Sequence, residues 1–164
     1  MDGHYIHLLS NHFPLILSIT GFIVLTAGLF LHIDMVKKVA LYIFIAASIF
    51  TIPAYVSGEE AEHKVEEYPT TSESTIEEHE ERAETVLILT DLLGVLSIAS
   101  LLFITKNHRF SVWSNRIVWA LSFVCILLLI NVNKTGGAIR RPELRKASTE
   151  QISDTVEQTN HEED

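Results

Sequence analysis

Four predominantly apolar runs constrain this chain more than any other feature: Phe13 to Ile33, Val39 to Val56, Val86 to Thr105 and Val112 to Val132. A helix needs about 20 such residues to cross roughly 30 Å of hydrocarbon. A chain with four of them, joined alternately by short and long connections, is expected to be all-α: an integral membrane, up-and-down four-helix bundle. Pro53 lies near the end of the second run, where neighbouring helices can satisfy the carbonyl it frees. Trp113, Asn115 and Arg116 open the fourth run as interfacial anchors, with the arginine reaching out of the lipid.

Composition agrees once its charge is located. The formal net charge is -9, yet eleven of the 21 acidic residues lie between Glu59 and Glu84, so the acidity belongs to one loop and not to a solvated protein. Nothing in that balance invites nucleic acid. The single cysteine, Cys125, falls within an apolar run, which leaves no disulfide framework and no paired-thiolate metal site. No Lys or Arg precedes the first run, so that run is expected to be kept as an anchor.

The connections suggest which end faces where. Asp34 to Lys38 and Lys106 to Ser111 read as tight turns carrying Lys37, Lys38, Lys106 and Arg109, while Lys64 and Arg82 are the cations of the polar stretch from Ser57 to Thr85. Positive charge favours the cytoplasm. A bacterial inner membrane protein would then hold its acidic loop and both termini outside, against which the basic tail residues Lys134, Arg140, Arg141, Arg145 and Lys146 count.

Within the long loop, Glu59 to Glu67 continues the second helix, Tyr68 to Ser74 breaks it, and Thr75 with Glu77 and Glu78 resembles a helix start. Helices two and three are therefore expected to project beyond the lipid. Thr135-Gly136-Gly137 reads as a turn closing a transmembrane domain of residues 1–139, with 140–164 a polar, disordered tail.

Of eight histidines, His4, His7, His12, His63 and His79 fall at the acidic end, only His32 and His108 at the other, and His161 in the tail. Ile76, His79, Ala83, Val86 and Thr90 follow a spacing of three and four residues, which turns His79 towards the bundle and leaves Glu77, Glu78, Glu80, Glu81 and Glu84 to water. Glu60 and His63 form the Glu-x-x-His pair with which metal-binding bundles present two ligands from one helical face. Glu59 and Glu66 flank His63 at i-4 and i+3. Di-metal bundles need two such pairs, and only one is present.

Imidazole and carboxylate together suit iron, copper, zinc or manganese. The expected ligands are His7, His12, His63 and His79, with Glu59 and Glu60 as further oxygens for a bare ion. One b-type haem between two of the histidines is the other possibility, and the sparse histidines at the opposite end argue against a second. Against both stands a plainer reading, in which His and Glu are ordinary interfacial residues. Asp91 lies inside the third run, where an ionisable side chain is costly and marks a pathway or a partner. It is a candidate for hydrogen-bonding a ligating imidazole or carrying protons, or else a packing residue helped by Thr90 and Ser97. Gly21, Gly28 and Gly94 read as close helix contacts.

Four segments carry a resemblance: His7-Leu-Leu-Ser-Asn-His12-Phe-Pro14, Ser57-Gly58-Glu59, His79 and Thr135-Gly136-Gly137. From Tyr5 to about Ile139 the chain resembles a large uncharacterised family of small bacterial four-helix membrane proteins, some of whose members are fused to Rieske iron-sulfur or cytochrome-type domains. That company implies electron transfer at the outer face of the inner membrane, with His7, His12, Pro14, Gly58, Glu59, His79, Gly136 and Gly137 near one site.

Three functional classes remain. The leading expectation is a metal- or haem-binding membrane protein that supports electron transfer or metal handling beside a redox or respiratory partner, with a homo-oligomer as a further partner expectation. Its rival is a cofactor-free membrane subunit whose projecting helices dock a larger complex. An enzyme is the poorest fit, because the chain has no nucleophile elbow, phosphate-binding glycine loop or full metalloprotease motif.

Overall fold

The computed structural model describes residues 12–65, 73–106 and 108–140, with backbone alone at 59–65, 73–76, 105, 106, 108, 109 and 137–140. It contains four helices: α1 (His12–Leu31), α2 (Asp34–Val65), α3 (Glu73–Lys106) and α4 (His108–Arg140). Each neighbour runs antiparallel to the next, and α1 returns to α4 to close the ring.

Each helix buries one stripe at alternating spacings of three and four. On α1 it is Pro14, Ser18, Gly21, Leu25 and Gly28; on α2, Ala40, Phe44, Ala47, Thr51 and Ala54. On α3 it is Val86, Thr90, Leu93, Ser97 and Ser100; on α4, Ser111, Asn115, Val118, Ser122, Cys125 and Leu129. That repeat is the seam of left-handed helix packing. Small residues dominate it, so backbones come close: a Cβ added to Gly21 would sit 2.6 Å from the Phe44 ring.

The distribution of size and polarity runs opposite to that of a water-soluble bundle. Serines, threonine and asparagine are buried, whereas Ile16, Ile23, Phe30, Ile49, Leu102 and Leu127 stand outward. With no hydrophobic force between helices in lipid, close packing of small residues and hydrogen bonds hold the bundle, and bulky apolar side chains meet the acyl chains. Four segments are long and apolar enough to cross: His12–Leu31, Asp34–Gly58, Glu77–Ile104 and Phe110–Gly136. The chain is a multi-pass membrane protein, and α2 and α3 extend past their spans at the same end.

Two local expectations are corrected in detail, besides two boundaries: α3 opens at Glu73, ahead of the start expected at Thr75, and α4 opens at His108, inside the turn expected over Lys106 to Ser111. The first connection is shorter than a turn over Asp34 to Lys38: His32 takes a left-handed φ of 58° and Asp34 already opens α2. Ile33 N–H donates to the Gly28 carbonyl at 3.2 Å, the long bond of a Schellman cap. Lys37 then pairs with Asp34 at 2.8 Å, which places the acid at a helix N-terminus where the dipole favours it. The second correction concerns Thr135-Gly136-Gly137, which forms no turn. α4 runs through it to Arg140, two residues before Pro142, which disfavours helix at the residue preceding it.

The cap at His32 yields a prediction. Glycine accepts a left-handed φ without a Cβ penalty, so His32→Gly is expected to stabilise the bundle by about 1 kcal/mol. Unfolding in mild detergent with increasing dodecyl sulfate would measure it, and an unchanged midpoint would count against strain at this cap.

Candidate metal or haem centre at the acidic end

Hydrogen bonds and ring contacts set the helices in register. Phe13 stacks on Phe50. Ser48 Oγ donates to Asp91 Oδ1 at 2.8 Å, and Gly94 packs against the same serine. Between α3 and α4, Arg82 donates to Asn131 at 2.9 Å and the Cys125 thiol donates to the Leu89 carbonyl at 3.6 Å.

His79 stands at the top of the α3 stripe. Its ring is half-buried, as are Arg82 and Ala83, while Glu77, Glu78, Glu80, Glu81 and Glu84 are exposed, as the spacing predicts. The ring lies against α4: His79 Nδ1 is 2.8 Å from Thr135 Oγ1, and that hydroxyl donates in turn to the Val132 carbonyl at 2.9 Å. Gly136 makes the approach possible, since a Cβ there would stand 3.1 Å from His79 Cε1. One turn along, Arg82 pairs with Glu78 and ties the two helices together through Asn131.

Carrying the α2/α3 register about 15 residues outward from Ser48 brings the backbone of His63 level with residues 76–79 of α3. Glu59 and Glu60 come about one turn closer to the lipid on the same helix. His63 and His79 therefore share a height at the acidic end. The side chains of Glu59, Glu60 and His63 lie outside the described residues, as does His7. His12 is placed elsewhere: its ring is exposed at the start of α1, and its neighbour Phe13 meets Phe50, so it sits about 12 residues, or ~18 Å, below His63 along the bundle. Among the described residues, no three His, Cys, Asp or Glu side chains gather around one point.

Asp91 is also distant. It lies twelve residues after His79 on α3, about 18 Å along the axis, too far to hydrogen-bond that ring. Its partner is Ser48 of α2, whereas Ser97 donates to its own helix at Leu93 and Thr90 faces the Cys125 thiol. No sequence signal singles out Ser48, one hydroxyl among many, and a turn expected at Thr135-Gly136-Gly137 hides Thr135. Continuing the helical spacing through the glycine pair would have set Thr135 on the α4 face that carries Asn131.

The fold is that of a four-helix membrane bundle, with His63 on α2 and His79 on α3 carried towards the same end. The chain matches no family model, no curated protein and no solved structure.

Proposed function

We propose that this protein binds a transition metal ion or one b-type haem at the acidic end of its bundle, in support of electron transfer or metal handling. The observation that carries the reading is the His79 ring, half-buried and fastened through Nδ1 to a hydroxyl. A ligating histidine is held in this way, by a second partner that fixes its orientation.

His63 at a similar height, with Glu59 and Glu60 beside it, supplies the further nitrogen and oxygen donors. His7 joins if the segment before α1 folds over the bundle end, and His12 serves a deeper position. Bound iron, copper or haem would supply one-electron chemistry; zinc, which has no redox chemistry, would serve metal handling and not electron transfer. The chain's own residues orient the ligand ring, and the surrounding glutamates raise the local concentration of cations. The resemblance to bacterial bundles fused to Rieske or cytochrome-type domains supports an electron-transfer setting in the inner membrane, with the acidic end outward and a respiratory protein as partner. Asp91, paired with Ser48, then belongs to the interior as a packing or proton-carrying group and not to the ligand shell of His79.

The extension of α2 and α3 past their spans also suits the alternative, a cofactor-free docking subunit. Protein purified in mild detergent from cells supplied with iron and copper decides between them. A Soret band or stoichiometric metal, lost when His63 and His79 are both changed to alanine, is the expected result. Colourless, metal-free protein would overturn the cofactor reading in favour of the docking subunit.

A further inference from the structure

Asn115 carries a hydrogen-bond acceptor that no protein group meets. The residue is 1% exposed, in the second turn of α4 and far from the acidic end. Its Nδ2 donates to the Ser111 carbonyl at 2.8 Å and lies 3.1 Å from Ser111 Oγ. A carbonyl only accepts, so this contact fixes which end of the amide is nitrogen and turns Oδ1 away from Ser111. No donor of the chain reaches that oxygen. Ser18, Thr90 and Ser100 also have buried hydroxyls without a protein partner, but a hydroxyl can turn and donate to the carbonyl one turn back, as Thr51 and Ser97 do. An amide oxygen has no such recourse, and left bare in the interior it is costly.

The group opposite it is Ser100. His79 and Gly136 meet across the seam of α3 and α4, and Ser100 lies 21 residues after His79 while Asn115 lies 21 before Gly136. That interval is three heptads, which return each helix to the same face in this packing. Two further contacts bracket the pair from either side: the Cys125 thiol on the Leu89 carbonyl, and Phe103 stacked on Phe110. Ser100, 0% exposed, therefore shares the height and the seam of Asn115, yet no direct hydrogen bond joins its Oγ to Oδ1. Serine is also smaller than Val86 and Leu93, which hold the same position two heptads and one heptad earlier, so it leaves space that they would fill.

We propose that Ser100 and Asn115 form a closed site for one water molecule between α3 and α4. The water donates one hydrogen to Asn115 Oδ1 and meets Ser100 Oγ with its other hydrogen or a lone pair, since a hydroxyl can give or take. Two polar partners suffice for a buried water, and bridging groups that the chain leaves unpaired is the place such waters occupy. A cation fits less well. Its charge would lie within the apolar span among neutral oxygens, because Asp91 is nine residues away on α3 and bonded to Ser48, about 14 Å along the axis. The site is independent of the centre proposed at the acidic end, from which it is separated by about 32 Å of helix.

A high-resolution crystal structure of the full chain grown from lipid tests this directly. The expected result is one water peak within hydrogen-bond distance of both Asn115 Oδ1 and Ser100 Oγ, lost in Asn115→Leu. A dry seam, a direct bond from Ser100 to Asn115, an ion in place of the water, or a peak that survives Asn115→Leu overturns the proposal. Unfolding in mild detergent with increasing dodecyl sulfate gives a second reading. Ser100→Ala removes one partner of the water and is expected to raise the unfolding equilibrium constant about two- to tenfold. In the Asn115→Leu background, which holds no water, the same change is expected to alter it by less than about twofold. Equal effects in the two backgrounds would show that Ser100 and Asn115 do not share a ligand, and should Asn115→Leu fail to fold, the parent structure decides by itself.

Discussion

Replacing Gly94 with leucine is expected to prise α2 from α3 and to cost the bundle about 3 kcal/mol or more of unfolding free energy, at the upper end of overpacking effects. The reason is local and geometric. A Cβ at this position would stand 2.6 Å from Ser48 Cβ and 2.7 Å from Ser48 Oγ. Serine has no flexible far end to swing aside, so the backbones must separate. Separation also breaks the bond from Ser48 to Asp91, leaving a carboxyl inside the apolar span without that partner, where unpartnered polar groups are expensive. Dodecyl sulfate unfolding followed by circular dichroism measures the loss. The milder Gly94→Ala, combined with Ser48→Gly, isolates its cause: removing the serine side chain removes the atoms the new Cβ meets, and the double variant should recover more than 1 kcal/mol relative to the sum of the singles. Additive losses would show that the contact is not the source.

The four spans were legible because length and hydropathy act on each segment separately, and so was the facing of His79, which follows from helical spacing on its own strand of sequence. The connections were less so. His32 occupies a place usually given to glycine, and no local signal distinguishes a histidine that caps from one that does not. At Thr135-Gly136-Gly137 the error had a different origin. Glycine there does not provide a left-handed backbone but close approach, and whether a glycine pair means a turn or a contact depends on what lies opposite. The relative heights of the helices were the least legible of all. Spacing fixes which way His12 and His79 face, but the offset between α1 and α3 is set by Phe13 on Phe50 and Ser48 on Asp91, contacts between residues 37 and 43 apart in the sequence.

Arginine at Ile23 is expected to produce the other large effect, and it tests the solvent of the bundle and not its packing. Ile23 lies mid-way along α1 and is 61% exposed. In a water-soluble helix bundle, a charge at so open a position shifts stability by within about 0.5 kcal/mol. In a bilayer the same arginine enters hydrocarbon at a cost of about 2.5 to 3.5 kcal/mol on the insertion scale. It has a long way to reach water, since eight or more residues separate it from either end of α1, about 12 Å of helix. No carboxylate lies on α1 to pair with it. Asp91 survives in the interior under different circumstances, because Ser48 meets it across the helix seam. The measurement is the fraction of protein integrated in membranes and resistant to alkaline extraction, with Glu80→Arg at the exposed acidic end as the control. Reduced integration of Ile23→Arg alone is the expected result. Equal integration of both, or soluble folded protein from either, would mean that the outward isoleucines do not face lipid. The reading of buried serines and exposed bulky side chains as a membrane pattern would fail with them.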